Sequence, residues 1–350
     1  MTKILVAGNW RAYIHEESIS HAFEKLGCEV ARFKWNNYFT SKNIILRLYL
    51  KIEYRFSFGF VVLKINTDLV NIAIKNKPNL LFIYRPTLIS ARTLRAIKAK
   101  SPSTTIVSYN NDNPFGSLYS KYYWARHIKS ISSYDLVYAY RPSNIQQYKA
   151  LGAKRVKLLP PWFIKHRTFP INLTKSDLIK YKSDVVFVAH YENDGRLEMI
   201  KSLIEAGIDV SLYGPEWNKV ILNDPLLKKY HPVKYLSDHE YTKALCGSKI
   251  AIALYSLLNN DVYTRKCFEI PATATFMIAK RSKEMLELFN ENEECVFFDD
   301  TEELIEKIRF YLKENDLRQE IAYNGYNRVI NSGYDVLGRA RFILESYKIP

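Results

Sequence analysis

Short apolar runs that close on a turn residue and lead into stretches of helical spacing recur along most of the chain. KILVAG ends at Gly8, SISHAFEKLG follows and closes at Gly27, and EVARFKW comes next; this order predicts strand, helix, strand. PNLLFIYRP, TTIVSYN and YDLVYAY are three further β-rich runs with helical segments between them. Repeated β-α units predict a parallel sheet with helices on both faces. The rhythm stops at Pro160 and Pro161, and no period is visible as far as about Lys175, which marks a linker. It then restarts with SDVVFVAHYENDGRLEMIKSLIEAG, IDVSLYGPEW, SKIAIALY, FMIA and CVFF. TEELIEKIRFYLKEN and DLRQEIAYNGYNRVI read as helices; Thr301 is expected to cap the first, although Leu304 stands where a capping box wants Glu or Gln.

The predicted fold class is therefore α/β, with two doubly wound Rossmann-like domains. The expected boundaries are 1–165, a linker over 166–175, 176–334, and a C-terminal helix over 335–350 able to pack back on the first domain. A cleft between two such domains is the default place for a site.

One stretch departs from the β-α rhythm. In residues 42–65, Ile44, Ile45, Leu48, Ile52 and Phe56 fall at helical spacing, and Lys42, Arg47, Lys51, Arg55 and Lys64 supply basic charge. A basic amphipathic helix suits an anionic membrane surface. The same pattern also suits a helix packed on the sheet with its lysines reaching out to water.

Composition narrows the classes. A chain of 350 residues that is 47% apolar can bury a large core and is not disordered. Its four cysteines, Cys28, Cys246, Cys267 and Cys295, form no CxxC pair, so neither a zinc site nor a disulfide framework is suggested. That usage fits a reducing compartment. The apolar run of MTKILVAGNW is short for a signal peptide, and no run reaches the length of a membrane span; the expected location is the cytoplasm, with peripheral membrane contact open. The formal net charge of +15 is unevenly placed. Residues 1–175 hold 28 Lys and Arg against 8 Asp and Glu, a balance of +20, whereas residues 176–350 hold 23 against 28, a balance of −5. Such asymmetry marks the half that meets a polyanion, or else a solvated basic surface.

Several motifs in order carry a resemblance: DVVFVAHYENDGRLEMIKSLIEAGIDVSLYGPEW, YTKALCGSKIAIAL, YTRKCFEIPATATFMIAKR and ELFNENEECVFFDDTEELIEKIRFYLKENDLRQEIAYNGYNRV. The chain resembles the spore-maturation-type (CgeB-like) glycosyltransferases of the GT-B superfamily, with the first half matching more weakly and region 36–70 outside the match. The resemblance implies two facing Rossmann-like domains. It also implies transfer of a sugar from a nucleotide sugar, held by the C-terminal domain, to an acceptor held mainly by the N-terminal one.

Those roles have physical counterparts in this sequence. Arg265 can fork to phosphate oxygens, and Glu269 can accept from two ribose hydroxyls. Thr264 precedes them, and the small residues Pro271 to Thr275 are expected to begin a helix whose N–H groups favour phosphate. Asp261 and Glu269 are separated by seven residues, which resembles the E-x7-E pattern of many GT-B transferases with Asp in the first place. Gly195 and Arg196 stand where the first strand of the second domain gives way to its helix. Tyr213 and Gly214 end the next strand, and Tyr235 in VKYLS marks a loop expected to face the base.

For an acceptor base the first half offers Asp112, in SYNNDNPFG after a predicted strand, and His15, in GNWRAYIHE. Asp112 could equally make an Asx-turn before Pro114. The aromatic run Leu118 to His127 could stack on sugars or fill core. No D-x-D spacing occurs; the expectation is no metal and no cofactor beyond the donor, with Arg side chains and helix ends meeting the diphosphate charge. The expected acceptor is an anionic or lipid-linked glycan, as in assembly of a bacterial cell-surface polysaccharide. The alternatives are an epimerase-like enzyme of sugar nucleotides or a basic nucleic-acid-binding protein. The second has no recognisable motif behind it, and no nucleic acid partner is expected.

Overall fold

In a computed structural model, which describes residues 1–348 except the side chains of Lys121 and Asp238, the chain divides into two units. One is Met1–Pro161 with the C-terminal helix Val336–Ser346, and the other is Trp162–Asp335.

The first unit is built on strands β1 (Lys3–Gly8), β2 (Glu29–Lys34), β3 (Leu80–Tyr84), β4 (Thr105–Asn110), β5 (Leu136–Ala139) and β6 (Val156–Leu158). They form one sheet in the order β2-β1-β3-β4-β5-β6, parallel throughout. Every residue of β3 is buried, as a strand covered by helices on both faces must be. Helix Val336–Ser346 packs on helix Ser18–Lys25, and the Tyr138 hydroxyl shares a 2.6 Å hydrogen bond with Ser346 Oγ.

The second unit carries β7 (Ser183–Val188), β8 (Val210–Tyr213), β9 (Ser248–Ala253), β10 (Phe276–Lys280) and β11 (Val296–Phe298). Their order is β11-β10-β9-β7-β8, again all parallel. In both sheets the winding reverses beside the first strand, between β1 and β3 and between β7 and β9. Chains leaving neighbouring strands to opposite faces open a crevice there, where ligands of such folds bind.

The unit boundary lies at Pro161 rather than after residue 165, and residues 166–175 are not a free linker. Phe163 bridges to Asp335, the Thr242 hydroxyl donates to the Arg167 carbonyl at 2.7 Å, and Thr174 and Asp177 form a capping box for helix Lys175–Tyr181. These local bonds tie the segment to the second unit. The cap of helix Thr301–Lys313 is likewise one residue earlier than expected. Asp300 accepts the Glu303 N–H at 2.8 Å and Glu303 accepts the Asp299 N–H at 2.6 Å, so the acid sought at 304 stands at 303.

Residues 42–65 fall in two helices, Ile44–Phe56 and Phe60–Asn76, set at 66°. The second buries Val62, Ile65, Leu69 and Ala73 in the core, whereas Ile44, Ile45, Leu48 and Ile52 of the first are exposed. Of the aromatic run Leu118 to His127, Trp124 and His127 are core. Tyr119 and Tyr123 stack at 4.9 Å.

Candidate functional site

The loops that follow β7 and β9 meet at the switch point of the second sheet. Glu192, after β7, accepts from the Ser256 hydroxyl at 2.7 Å and lies 2.5 Å from His190 Nε2. Asp261, after β9, donates its N–H to the Ser256 carbonyl at 2.9 Å. The two loops are thus joined through Ser256.

Arg196, the first residue of helix Arg196–Glu205, is buried and faces inward into the same loop. Its Nε and Nη2 donate to the two Asp194 carboxylate oxygens at 2.7 and 2.5 Å, Nη1 donates to the His190 carbonyl at 2.5 Å, and Glu192 lies 3.4 Å from Nη2. A guanidinium held by two carboxylates shapes the loop, and a phosphate would have to compete with Asp194 for it. Gly195 caps the helix at φ 90° with open space where a Cβ would stand. Its contribution is the left-handed backbone.

The segment from Thr264 to Glu269 is ordered by its own side chains. Thr264 Oγ1 accepts the Lys266 N–H at 3.0 Å, and the Arg265 carbonyl accepts from Phe268 and Glu269 at 2.9 and 3.0 Å. A helix therefore starts at Lys266 and runs to Ala272, with Pro271 in its last turn. The expected helix start at Pro271 to Thr275 is corrected: those residues end the helix, because the Thr264 hydroxyl opens it a turn and a half earlier.

Glu269 projects from that helix and its Oε2 accepts from the Tyr241 hydroxyl at 3.0 Å. Burial pushes the Tyr241 hydroxyl well above its ordinary range, and the Glu269 charge adds to the shift. Lys266 is the residue that sequence reasoning left without a role. Burial lowers its pKa; Glu269 opposes that, and Arg265 and Arg196 reinforce it. Lys266 therefore meets a favourable charge from Glu269 and unfavourable ones from Arg265 and Arg196. Asp261 acts on its neighbour Cys267, whose thiol is pushed up to about 12, chiefly by burial.

Tyr213 packs in a small apolar cluster with Tyr181, Leu236, Ala244 and Tyr241, so it supports the tyrosine that holds Glu269. Gly214 donates its N–H to the Lys234 carbonyl at 2.9 Å. This brings the following Tyr235, which is exposed, to the edge of β8. A pocket of about 230 Å³ opens between the ends of β7, β9, β10 and β11, lined by Gly195, Arg196, Leu254, Tyr255, Lys280 and Thr301 among others.

The first unit has its own cluster at the switch between β1 and β3. His15 shares a 2.8 Å hydrogen bond with the Tyr84 hydroxyl at the end of β3. The next residue, Arg85, lies 2.5 Å from Asp112 Oδ2, and the Tyr119 hydroxyl donates to the same oxygen at 3.2 Å. Tyr119 and Tyr123 place their rings against the guanidinium, at 5.5 and 5.8 Å. Burial works against the Arg85 charge, and Asp112 with the two tyrosines outweighs it. Turn geometry after β4 is supplied by Asn110 and Asn113, which accept the N–H groups of Asp112 and Phe115 at 3.2 and 3.0 Å. Asp112 is thus left facing Arg85 and not making the Asx-turn.

Glu16, one residue beyond His15, escaped the sequence reading. It is buried, its Oε1 accepts the Asn9 N–H at 2.8 Å, and a Cβ on Gly8 would come within 2.3 Å of that oxygen. Burial pushes its carboxyl up, against backbone N–H groups and the charge of Arg85. The signal in sequence is that Glu16 is the first acid after the first strand, eight residues beyond Gly8.

Among the described residues no group of three or more His, Cys, Asp or Glu could hold a metal ion.

Residues 196–345 match the family model described as glycosyl transferase-like. No curated protein matches the sequence. Among solved structures, sucrose-phosphate synthase from Thermosynechococcus elongatus is similar with a TM-score of 0.69 at 12% identity, covering 99% of this chain and 98% of that one. Anabaena HepE, solved with UDP and glucose, is similar with a TM-score of 0.67 at 12% identity, covering 99% of both chains. A glycosyltransferase from Rickettsia africae has a TM-score of 0.67 at 16% identity, covering 99% of this chain and 98% of that one. Identities this low speak for the fold, and the family match speaks for the segment that holds Arg196, Arg265, Lys266 and Glu269. The chain thus has the GT-B fold of two Rossmann-like domains, and residues 196–345 of its second unit and C-terminal helix match a glycosyl transferase-like family model.

Proposed function

We propose that the protein moves a hexosyl or related sugar from a nucleoside diphosphate sugar to an acceptor hydroxyl, with the donor held at the β7/β9 switch point of the second unit. The observation that carries this reading is the Glu269 carboxylate, which accepts from the Tyr241 hydroxyl at 3.0 Å and stands on the helix that begins at Lys266, directly after Arg265. Glu269 accepts from the ribose hydroxyls. Arg265 and Lys266 meet the diphosphate, and Tyr213, Gly214 and Tyr235 lie at the edge expected for the base. Anabaena HepE has been solved with UDP-glucose, which supports a nucleotide sugar as the donor.

In the transfer, the acceptor oxygen bonds to the anomeric carbon as the bond from that carbon to the phosphate oxygen breaks. The electron pair leaves with the nucleoside diphosphate, and the acceptor proton goes to a base. Arg265 and Lys266 stabilise the developing phosphate charge, which is the work a divalent cation does elsewhere, so the reading is metal-independent. Asp112, His15 and now Glu16 are the candidate bases of the first unit. Asp112 Oδ2 is engaged by Arg85 and Tyr119.

The motifs of the second unit resemble those of the spore-maturation-type (CgeB-like) group, which is the subtype proposed here. The +20 balance of residues 1–175 favours an anionic or lipid-linked glycan acceptor, with the protein acting from the cytoplasm. Peripheral contact with an anionic bilayer belongs to the same reading. The epimerase-like and nucleic-acid alternatives are not favoured by the family match.

A thermal-shift screen of nucleoside diphosphates and their sugars tests the donor side. A ligand at a hundredfold excess over its Kd adds about 2.7 kcal/mol, or a rise in Tm of roughly 5–10 °C for a unit of this size. A rise for one base is expected; no rise with any of the common bases would count against the proposal.

A further inference from the structure

We propose that the elbow between helices Ile44–Phe56 and Phe60–Asn76 is a docking surface for an anionic lipid bilayer, seated in the plane of the headgroups. This deepens the membrane contact of the proposed function, but it rests on the elbow alone and stands whatever the donor is.

The first helix is anchored by a narrow buried face through Leu50 and Glu53, and its wide apolar face points outward. Ile45 is 75% exposed, Leu48 57% and Phe60 80%, with Ile44, Ile52 and Phe58 in the same condition. A surface helix of a water-soluble domain turns its apolar stripe inward, and a contiguous outward patch marks an interaction surface.

Charge says what kind of partner fits. Lys42, Arg47, Lys51, Arg55 and Lys64 are all exposed beside the patch. Between residues 42 and 67 the sole acid is Glu53. It is buried, and its two oxygens accept the N–H groups of Phe60 and Val61 at 2.9 Å each. Beside the exposed Asn43, Tyr49 and Thr67, and with Lys64 paired to Asp68 at 3.2 Å, the elbow shows water chiefly apolar and positive groups, the pairing that suits acyl chains under anionic headgroups. A second copy of the chain fits poorly, because a self-paired face would set these cations against their own kind.

The elbow is held in shape. Ser57 and Gly59 turn the chain at φ 54° and 125°, and Arg126 donates through Nε and Nη2 to the Ser57 carbonyl at 3.0 and 2.6 Å. Phe58 and Phe60 are presented at its tip. Beside them a pocket of about 410 Å³ is lined by Phe56, Phe58, Arg92, Tyr122, Arg126 and Lys129 among others, with no acid in its wall. Three cations next to an apolar rim make a seat for a headgroup phosphate.

Docking in the plane, and not crossing, follows from the second helix. The bent pair is long and apolar enough for a span by composition. Yet Val62, Ile65, Leu69 and Ala73 are fixed in the core of the first unit, and a span would strip them from it.

Flotation of the full chain with vesicles of phosphatidylcholine, with and without phosphatidylglycerol, tests the proposal. The wild type is expected to float with the phosphatidylglycerol vesicles and to be released by salt. The triple variant Ile45→Gln, Leu48→Gln, Phe60→Gln alters only exposed side chains. Its melting curve is expected to match the wild type while its bound fraction falls roughly tenfold or more. The pair Lys51→Glu, Arg55→Glu should lose the preference for phosphatidylglycerol. Wild type that stays unbound, a triple variant that floats equally well, or a triple variant whose one effect is to split a dimer would each overturn it.

Discussion

Replacement of Glu269 by alanine is expected to weaken nucleoside diphosphate binding by about a hundredfold. A carboxylate that accepts from two vicinal hydroxyls makes two charge-assisted hydrogen bonds, each worth about 1.5–3 kcal/mol; losing about 3 kcal/mol net multiplies Kd by roughly 100. The same change leaves the Tyr241 hydroxyl, now bonded to Glu269 at 3.0 Å, without its acceptor. That costs about 1–3 kcal/mol of stability. Glu269→Gln separates the two effects. It keeps an oxygen for Tyr241 and should melt like the wild type, while the loss of charge still weakens the nucleotide. Titration calorimetry beside thermal melting checks both; binding unchanged in the alanine variant would remove Glu269 from the donor site.

Gly214→Ala should be the most damaging small change in the second unit. Gly214 sits at φ 134°, and a Cβ there would come within 1.9 Å of the Ala189 carbonyl oxygen. That oxygen cannot retreat. It accepts from Trp217 Nε1 at 2.7 Å, and the Ala189 N–H is paired to the Tyr213 carbonyl at 3.0 Å. Trp217 itself is fully buried in the core. A clash between backbone groups, added to the left-handed strain, should cost about 3 kcal/mol or more. The Tm should fall by roughly 10 °C. Gly195→Ala is the control, since nothing lies within 4 Å of its Cβ position; it should cost only the conformational 1–2 kcal/mol, roughly. Equal losses for the two would show that the close approach to Ala189 does not matter.

The strands were legible because parallel strands buried on both faces read as unbroken apolar runs, as Leu80–Tyr84 does. Features set by side chains acting across one or two residues were less so. Thr264 and Asp300 decide where two helices begin, and a polar residue one position away looks equally suitable in sequence. The commitment of Arg196 to Glu192 and Asp194 is in principle visible, because all three lie in one short loop. Tyr241 with Glu269, and Arg85 with Asp112, are pairs made by the sheet, from loops that follow different strands. No local pattern announces them. At residues 44–56 the periodicity was plain. Which face met water was not, because helical spacing describes a stripe and leaves its partner unspecified.

The donor site is the central claim, and hydrogen exchange along the backbone with and without a saturating nucleoside diphosphate tests it most directly. Ligand at the β7/β9 switch point should slow exchange in residues 190–196 and 261–269, with a smaller effect at 213–214 and 234–235, and leave the first unit unchanged. Protection confined to the first unit, or none in 261–269, would contradict it.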